Sequence, residues 1–166
     1  VEEEYPDLDI SDFFISLVPT QLHRLIQSSK TANWLSQFET VLLGGSPPWP
    51  ELLNRTRSHQ IRLSPTYGMT ETASGIVTLK PEEFLIGNNT TGRVLPHAKI
   101  IILDETGKPL KSHQTGRIAI QSQSLTWGYH TDIDTEKITQ LITDDLGYFD
   151  DRGYLTIVGR QGDKII

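Results

Sequence analysis

The octet Tyr67-Gly68-Met69-Thr70-Glu71-Thr72-Ala73-Ser74 sets an aromatic face, threonine hydroxyls and a carboxylate around a tight glycine turn. These are the groups needed to hold a nucleotide with its magnesium ion. The Tyr67 ring can lie on a base, the Thr70 hydroxyl can reach a phosphate or carboxylate oxygen, and Glu71 can hold a hard cation. Mg²⁺ is commonly bound by one or two carboxylates together with substrate phosphates. The same octet could also be an ordinary loop around a buried tyrosine, so its meaning depends on the segments that accompany it.

Those segments alternate in the first half of the chain. Phe13–Val18 reads as a buried strand. Pro19-Thr20 starts a helix with Thr20 as N-cap and Leu22, Leu25 and Ile26 on one face. Val41–Leu43 is a second strand, broken by Gly44-Gly45. Pro50 suits a first helical position, with Glu51 in the first turn and Leu52 and Leu53 facing a core. Ile61–Leu63 is a third strand leading into the octet, and Ile76–Leu79 is an apolar run beyond it. The alternation predicts a parallel α/β layer, in which ligands gather at the carboxyl ends of strands. Gly44-Gly45 and Tyr67–Glu71 both fall there. Beyond about residue 80 the pattern changes. Lys99–Leu103 and Arg117–Gln121 alternate like half-exposed strands around the turn Asp104–Gly107. A short helix is expected over Thr135–Ile142, and Tyr154–Val158 is a strand entered through the turn Asp150–Gly153. This half reads as a small antiparallel sheet or distorted β-barrel.

Composition narrows the function classes. The chain has 166 residues, 36% hydrophobic and 22% charged, enough for a sizeable core. A net charge of −6 argues against a general nucleic-acid binder and supplies no polybasic membrane patch. Without cysteine there are no disulfides or thiolate metal sites, which fits a reducing, cytoplasmic setting. No apolar run reaches the roughly 18 residues of a membrane span, and no signal-peptide pattern is seen in the first residues. The five histidines show no metal-ligand spacing.

Four segments, in order, resemble the adenylate-forming superfamily of acyl-CoA ligases, luciferases and nonribosomal peptide synthetase adenylation domains. They are Leu43-Gly44-Gly45-Ser46-Pro47; Tyr67–Glu71; Gly116–Ile120 running on to Gly128-Tyr129; and Thr143–Tyr148 with Gly153-Tyr154-Leu155 and Val158-Gly159-Arg160. Ser16–Leu22, taken with Leu42–Gly45 and Tyr67–Ser74, most resembles the 2-succinylbenzoate–CoA ligases of menaquinone and phylloquinone biosynthesis. The resemblance implies a two-step, ATP-dependent reaction. A small-molecule carboxylate attacks the α-phosphate of ATP, pyrophosphate leaves, and the thiol of coenzyme A then displaces AMP from the acyl-adenylate.

Site roles follow from the same resemblance. Tyr67 stacks on adenine, and Gly44, Gly45 and Ser46 let backbone approach it, since no Cβ intervenes at the glycines. Gly68 belongs to the same nucleotide motif. Thr70 contacts the α-phosphate region, Glu71 binds Mg²⁺, and Thr70 and Glu71 are the catalytic candidates. Asp145 accepts hydrogen bonds from both ribose hydroxyls, for which an acceptor-only carboxylate is suited, and Arg160 also reaches the ribose. The pattern departs at Asp144, where relatives usually carry glycine, so two adjacent acids compete for one role; a solvated acidic loop is the other reading. Arg117 stands where glutamate is usual and receives no role. Ser74, Gly75 and Ile76 are expected to border the acyl pocket.

The resemblance further implies that residues 1–80 form an α/β subdomain, 81–159 a β-barrel-like subdomain, and 160–166 the start of a hinge near Gly162. An upstream phosphate loop and a downstream domain carrying the catalytic lysine lie outside this sequence, with Lys164 a hinge-region charge. The 166 residues are therefore expected to be inactive alone. Two alternatives stand beside this reading: a ligase for another aromatic or fatty acid, and a degenerate, non-catalytic nucleotide-binding module.

Overall fold

β1 (Phe14–Leu17) and β2 (Thr40–Leu43) pair in parallel, Phe14 opposite Thr40 and Leu17 opposite Leu43, as the α/β alternation predicts. The computed structural model describes residues 9–127 and 138–162. It divides the chain into two compact units, one from residues 1–64 and 80–89, the other from 65–79 and 90–166.

In the first unit the parallel pair requires a crossover, supplied by α1 (Pro19–Leu25) and α2 (Ser29–Leu35). Pro19 occupies the first helical position, where its missing N–H costs nothing. The N-cap is therefore Val18 rather than Thr20, and the Val18 N–H donates to Gln21 Oε1 at 2.9 Å. Leu22 and Ile26 are buried, as their spacing predicts, whereas Leu25 is only partly so. The seven-residue α2 was not anticipated, because two turns carry too little periodicity to register. α3 (Pro50–Ser58) starts at its proline and buries Leu52, Leu53 and Thr56. α4 (Pro81–Leu85) is clasped to it by Arg57. The Arg57 Nε–H donates to the Phe84 carbonyl at 2.8 Å, and its guanidinium lies 4.4 Å from the centre of the Phe84 ring.

The third strand starts later and runs further than predicted. β3 spans Leu63–Met69, so Tyr67 and Gly68 sit in a strand rather than a turn. From Pro65 onward it belongs to the second unit. There it pairs antiparallel with β4 (Ser74–Thr78), and β5 (Arg93–Val94) extends that ladder. The rest of the unit is a meander of β6 (Ala98–Leu103), β7 (Gly116–Ser122), β8 (Leu141–Phe149) and β9 (Leu155–Arg160), in that spatial order. Ile100 opposes Ile120, and Ile102 opposes Ile118. These side chains join Ile76, Val77, Leu125 and Leu155 in one buried cluster.

Of the two readings of this half, the small antiparallel sheet holds and the distorted barrel is corrected: among the described residues β6 to β9 form an open four-stranded sheet. Leu155 at the start of β9 exchanges backbone hydrogen bonds with Thr91 and Gly92, at 2.8 and 2.7 Å, just before β5. The helix expected over Thr135–Ile142 is also revised, since Leu141 and Ile142 open β8 instead, with Leu141 paired to Ile120. Pairing to an existing apolar strand outweighs a weak helical period. Residues Thr135–Lys137 of that span, Gly128-Tyr129 and Lys164 lie outside the described residues.

Candidate functional site

Thr143–Tyr148, open to reading as an acidic loop, is the middle of β8. Strand alternation then separates its two acids. Asp144 is exposed, whereas Asp145 lies opposite Arg160 on β9, and its carboxylate faces Tyr67 of β3. The Tyr67 hydroxyl donates to Asp145 Oδ2 at 2.7 Å. On the other oxygen, Arg160 Nε lies 3.4 Å from Oδ1. The Asp145 side chain is 17% exposed and that of Arg160 is 60% exposed, so one end of the ion pair is held and the other is wet. Tyr67, Asp145 and Arg160 thus meet although 78 positions separate the first two.

Tyr67 and Asp145 are each held from behind. The Tyr67 ring packs against the buried isoleucine cluster. Its burial, and then the adjacent Asp145 carboxylate, push the phenol well above the usual tyrosine range. It is consequently a neutral hydrogen-bond donor throughout the physiological range. Beneath Asp145, the buried Thr143 hydroxyl donates to the Ile118 carbonyl at 3.0 Å and accepts the Asp145 N–H at 3.1 Å. Arg117 Nε reaches the Thr143 carbonyl at 3.4 Å, a structural contact for a residue given no role.

The octet changes direction after Met69. Thr70–Thr72 forms a single 3₁₀ turn, and Ala73 follows in the left-handed region at φ 57°. Buried Thr72 organises this reversal: its hydroxyl accepts the Met69 N–H at 2.9 Å and lies 2.7 Å from the Ser74 carbonyl. Thr70 is exposed and Glu71 is half-buried. The Glu71 carbonyl accepts the Thr126 N–H at 2.9 Å, which fixes its backbone. Gly68 occupies a bulge where β3 and β4 come too close for a side chain. A Cβ there would overlap the Ser74 carbonyl oxygen and lie 2.7 Å from the Gly75 Cα.

Gly44, Gly45 and Ser46 belong to the first unit, directly after β2. The Gly44 N–H donates to the Leu17 carbonyl at 3.2 Å, and Gly45 takes φ +84°, which glycine adopts freely. Ser46 is exposed. No group of three or more His, Asp or Glu suited to a metal occurs among the described residues. Glu71 offers one carboxylate, and Mg²⁺ commonly takes one or two carboxylates together with substrate phosphate oxygens.

Thr72 and Thr143 were passed over in the sequence. Each is a hydroxyl near a change of chain direction or a bulge, where threonine often serves backbone groups, but that signal is common to many threonines.

A family model described as AMP-binding enzyme matches residues 13–130. The chain belongs to the AMP-binding enzyme family. Similar family members include the 2-succinylbenzoate–CoA ligases of Oceanobacillus iheyensis and Geobacillus kaustophilus, 35% and 36% identical over 92% of this chain and 32% of theirs. The chain therefore spans about a third of the length of the curated relatives it matches. Among solved structures, O-succinylbenzoate coenzyme A synthetase from Bacillus subtilis in complex with AMP aligns with a TM-score of 0.80 and 28% identity, over 97% of this chain and 33% of that one. The same enzyme with ATP and magnesium ion aligns at 0.77 and 31% identity, over 92% and 32%. Family membership agrees with the resemblance read from the sequence; the matched stretch, residues 13–130, includes Tyr67–Glu71.

Proposed function

We propose that the protein is an AMP-forming acid–CoA ligase that activates 2-succinylbenzoate, with ATP, Mg²⁺ and coenzyme A, in a cytoplasmic setting. The observation that carries this reading is the meeting of Tyr67, Asp145 and Arg160 in a member of this family. A ring face, a two-oxygen acceptor and a cation suit a base and its ribose. The succinylbenzoate substrate is supported by the relatives, whose names carry that acid.

In this proposal Tyr67 stacks on adenine, and Gly44, Gly45 and Ser46 are the nucleotide-binding candidates of the first unit. Asp145 accepts the ribose hydroxyls and Arg160 donates to the ribose. The exposed Thr70 hydroxyl donates to the α-phosphate region. Bound magnesium would neutralise phosphate charge as the acyl oxygen displaces pyrophosphate, and Glu71 is the residue proposed to hold it. These residues fix the reactants and offset developing charge, the main protein contributions to such transfers. A hinge from Arg160 is part of the same proposal, as is an α/β subdomain followed by a β subdomain. The boundary expected at residue 80 falls where residues 65–79 pack with the second unit and 80–89 with the first.

The deciding experiment assays the full-length protein with ATP, Mg²⁺ and coenzyme A against 2-succinylbenzoate, benzoate and medium-chain fatty acids. AMP, pyrophosphate and succinylbenzoyl-CoA are expected. Turnover of another acid alone would overturn the substrate assignment, and no turnover or nucleotide binding would overturn the ligase reading.

A further inference from the structure

The hydroxyl of Tyr67 does something that base stacking does not require. Stacking needs only the ring, yet the hydroxyl is spent on Asp145 Oδ2 at 2.7 Å. Asp145 comes from β8 and has two other restraints, Arg160 Nε 3.4 Å from Oδ1 and the Thr143 hydroxyl accepting its N–H at 3.1 Å. Arg160 is largely in solvent and exerts a weak hold, as exposed ion pairs do. The phenol is the short, well-sheltered contact. It uses one lone-pair direction of Oδ2 and leaves the remaining carboxylate lone pairs available to other donors.

We propose that Tyr67 is a positioning residue for Asp145: its hydroxyl orients the carboxylate for a vicinal diol, so base and ribose recognition are coupled through one side chain. This rests on the nucleotide reading above and adds a role to a residue otherwise assigned only its ring. A carboxylate free to rotate must be ordered when the ligand arrives, and a pre-set one avoids that cost. A phenol is already protonated at neutral pH, and burial beside Asp145 raises it further, so the donor holds its proton well into the alkaline range.

The test compares AMP with 2′,3′-dideoxy-AMP in the full-length protein by calorimetry, in wild type, Tyr67→Phe, Asp145→Asn and the double variant. Tyr67→Phe keeps a ring and removes the hydroxyl. Its AMP affinity should fall about three- to tenfold, the cost of ordering one side chain on binding, with dideoxy-AMP affinity unchanged within about twofold. In the Asp145→Asn background the same substitution should cost little more, since the group being oriented is already altered. Equal losses for both nucleotides would mean a merely structural role and overturn the proposal, as would unchanged or tighter AMP binding. Tyr67→Trp, which also presents a ring without a phenol, repeats the comparison with different packing should Tyr67→Phe fold poorly. Failure of the wild type to bind AMP at all would instead strike at the nucleotide reading itself.

Discussion

The Tyr67 hydroxyl donates to Asp145 Oδ2 at 2.7 Å, joining β3 to β8 across 78 positions of sequence. Closing so long a span costs chain entropy, which the strand pairing of the second unit helps to offset. The candidate site is thus also a reporter of the folded second unit.

Asp145→Ala should weaken AMP binding to the full-length protein by about 10- to 100-fold, the range for losing hydrogen bonds to a charged acceptor. Asp144→Ala, on the exposed face of the same strand, should leave affinity within about twofold. Calorimetry on the pair checks the assignment, and equal effects would contradict it.

Gly68→Ala should be strongly destabilising. The added Cβ would meet the Ser74 carbonyl and the Gly75 Cα across the bulge, both of them backbone that cannot rotate away. A loss of at least about 1–3 kcal/mol in urea unfolding is expected, the cost of overpacking a tight site. A neutral effect would show that β3 and β4 can separate freely.

Tyr67 makes stability depend on alkaline pH. Its folded phenol is raised above the unfolded value near 10, mainly by burial and then by Asp145. The stabilisation is therefore fully present below the unfolded value and is lost as pH climbs toward the folded one. The stability difference between wild type and Tyr67→Phe should hold steady from pH 6 to about pH 9 and shift against wild type above about pH 10. Denaturant midpoints across that range test the sign.

Arg57→Ala should loosen α4 within the first unit. It removes the 2.8 Å bond to the Phe84 carbonyl and the cation stacked 4.4 Å from that ring. A loss of about 1–3 kcal/mol is expected from the hydrogen bond and ring contact together. Amide exchange should quicken at residues 81–86, and Arg57→Lys should recover only part, because lysine cannot present the same planar face.

Much of the fold was legible from local pattern. Pro19 and Pro50 marked helix starts, Phe13–Val18 and Val41–Leu43 marked strands, and alternation from Lys99 to Gln121 marked an antiparallel pair. Less legible were segments whose structure is imposed by neighbours. Leu141 and Ile142 have helical spacing yet extend β8, because β7 offers a partner. The Tyr67-Gly68-Met69 run looked like a turn on account of its glycine. That glycine instead permits close strand approach, and the turn lies later, where Thr72 ties it.

The sequence alone determined the chemical vocabulary of this protein and the order in which it appears: a ring, hydroxyls and a carboxylate at 67–71, paired acids at 144–145, an arginine at 160. Residue identity and spacing suffice for that, since they set what each segment can donate, accept or bury. Only the tertiary structure decided how the pieces act together. Alternation dictates that Asp144 and Asp145 face opposite sides of a strand, but which of them looks inward depends on register against β7 and β9. That register placed Asp145 beneath the Tyr67 hydroxyl and left Asp144 in water.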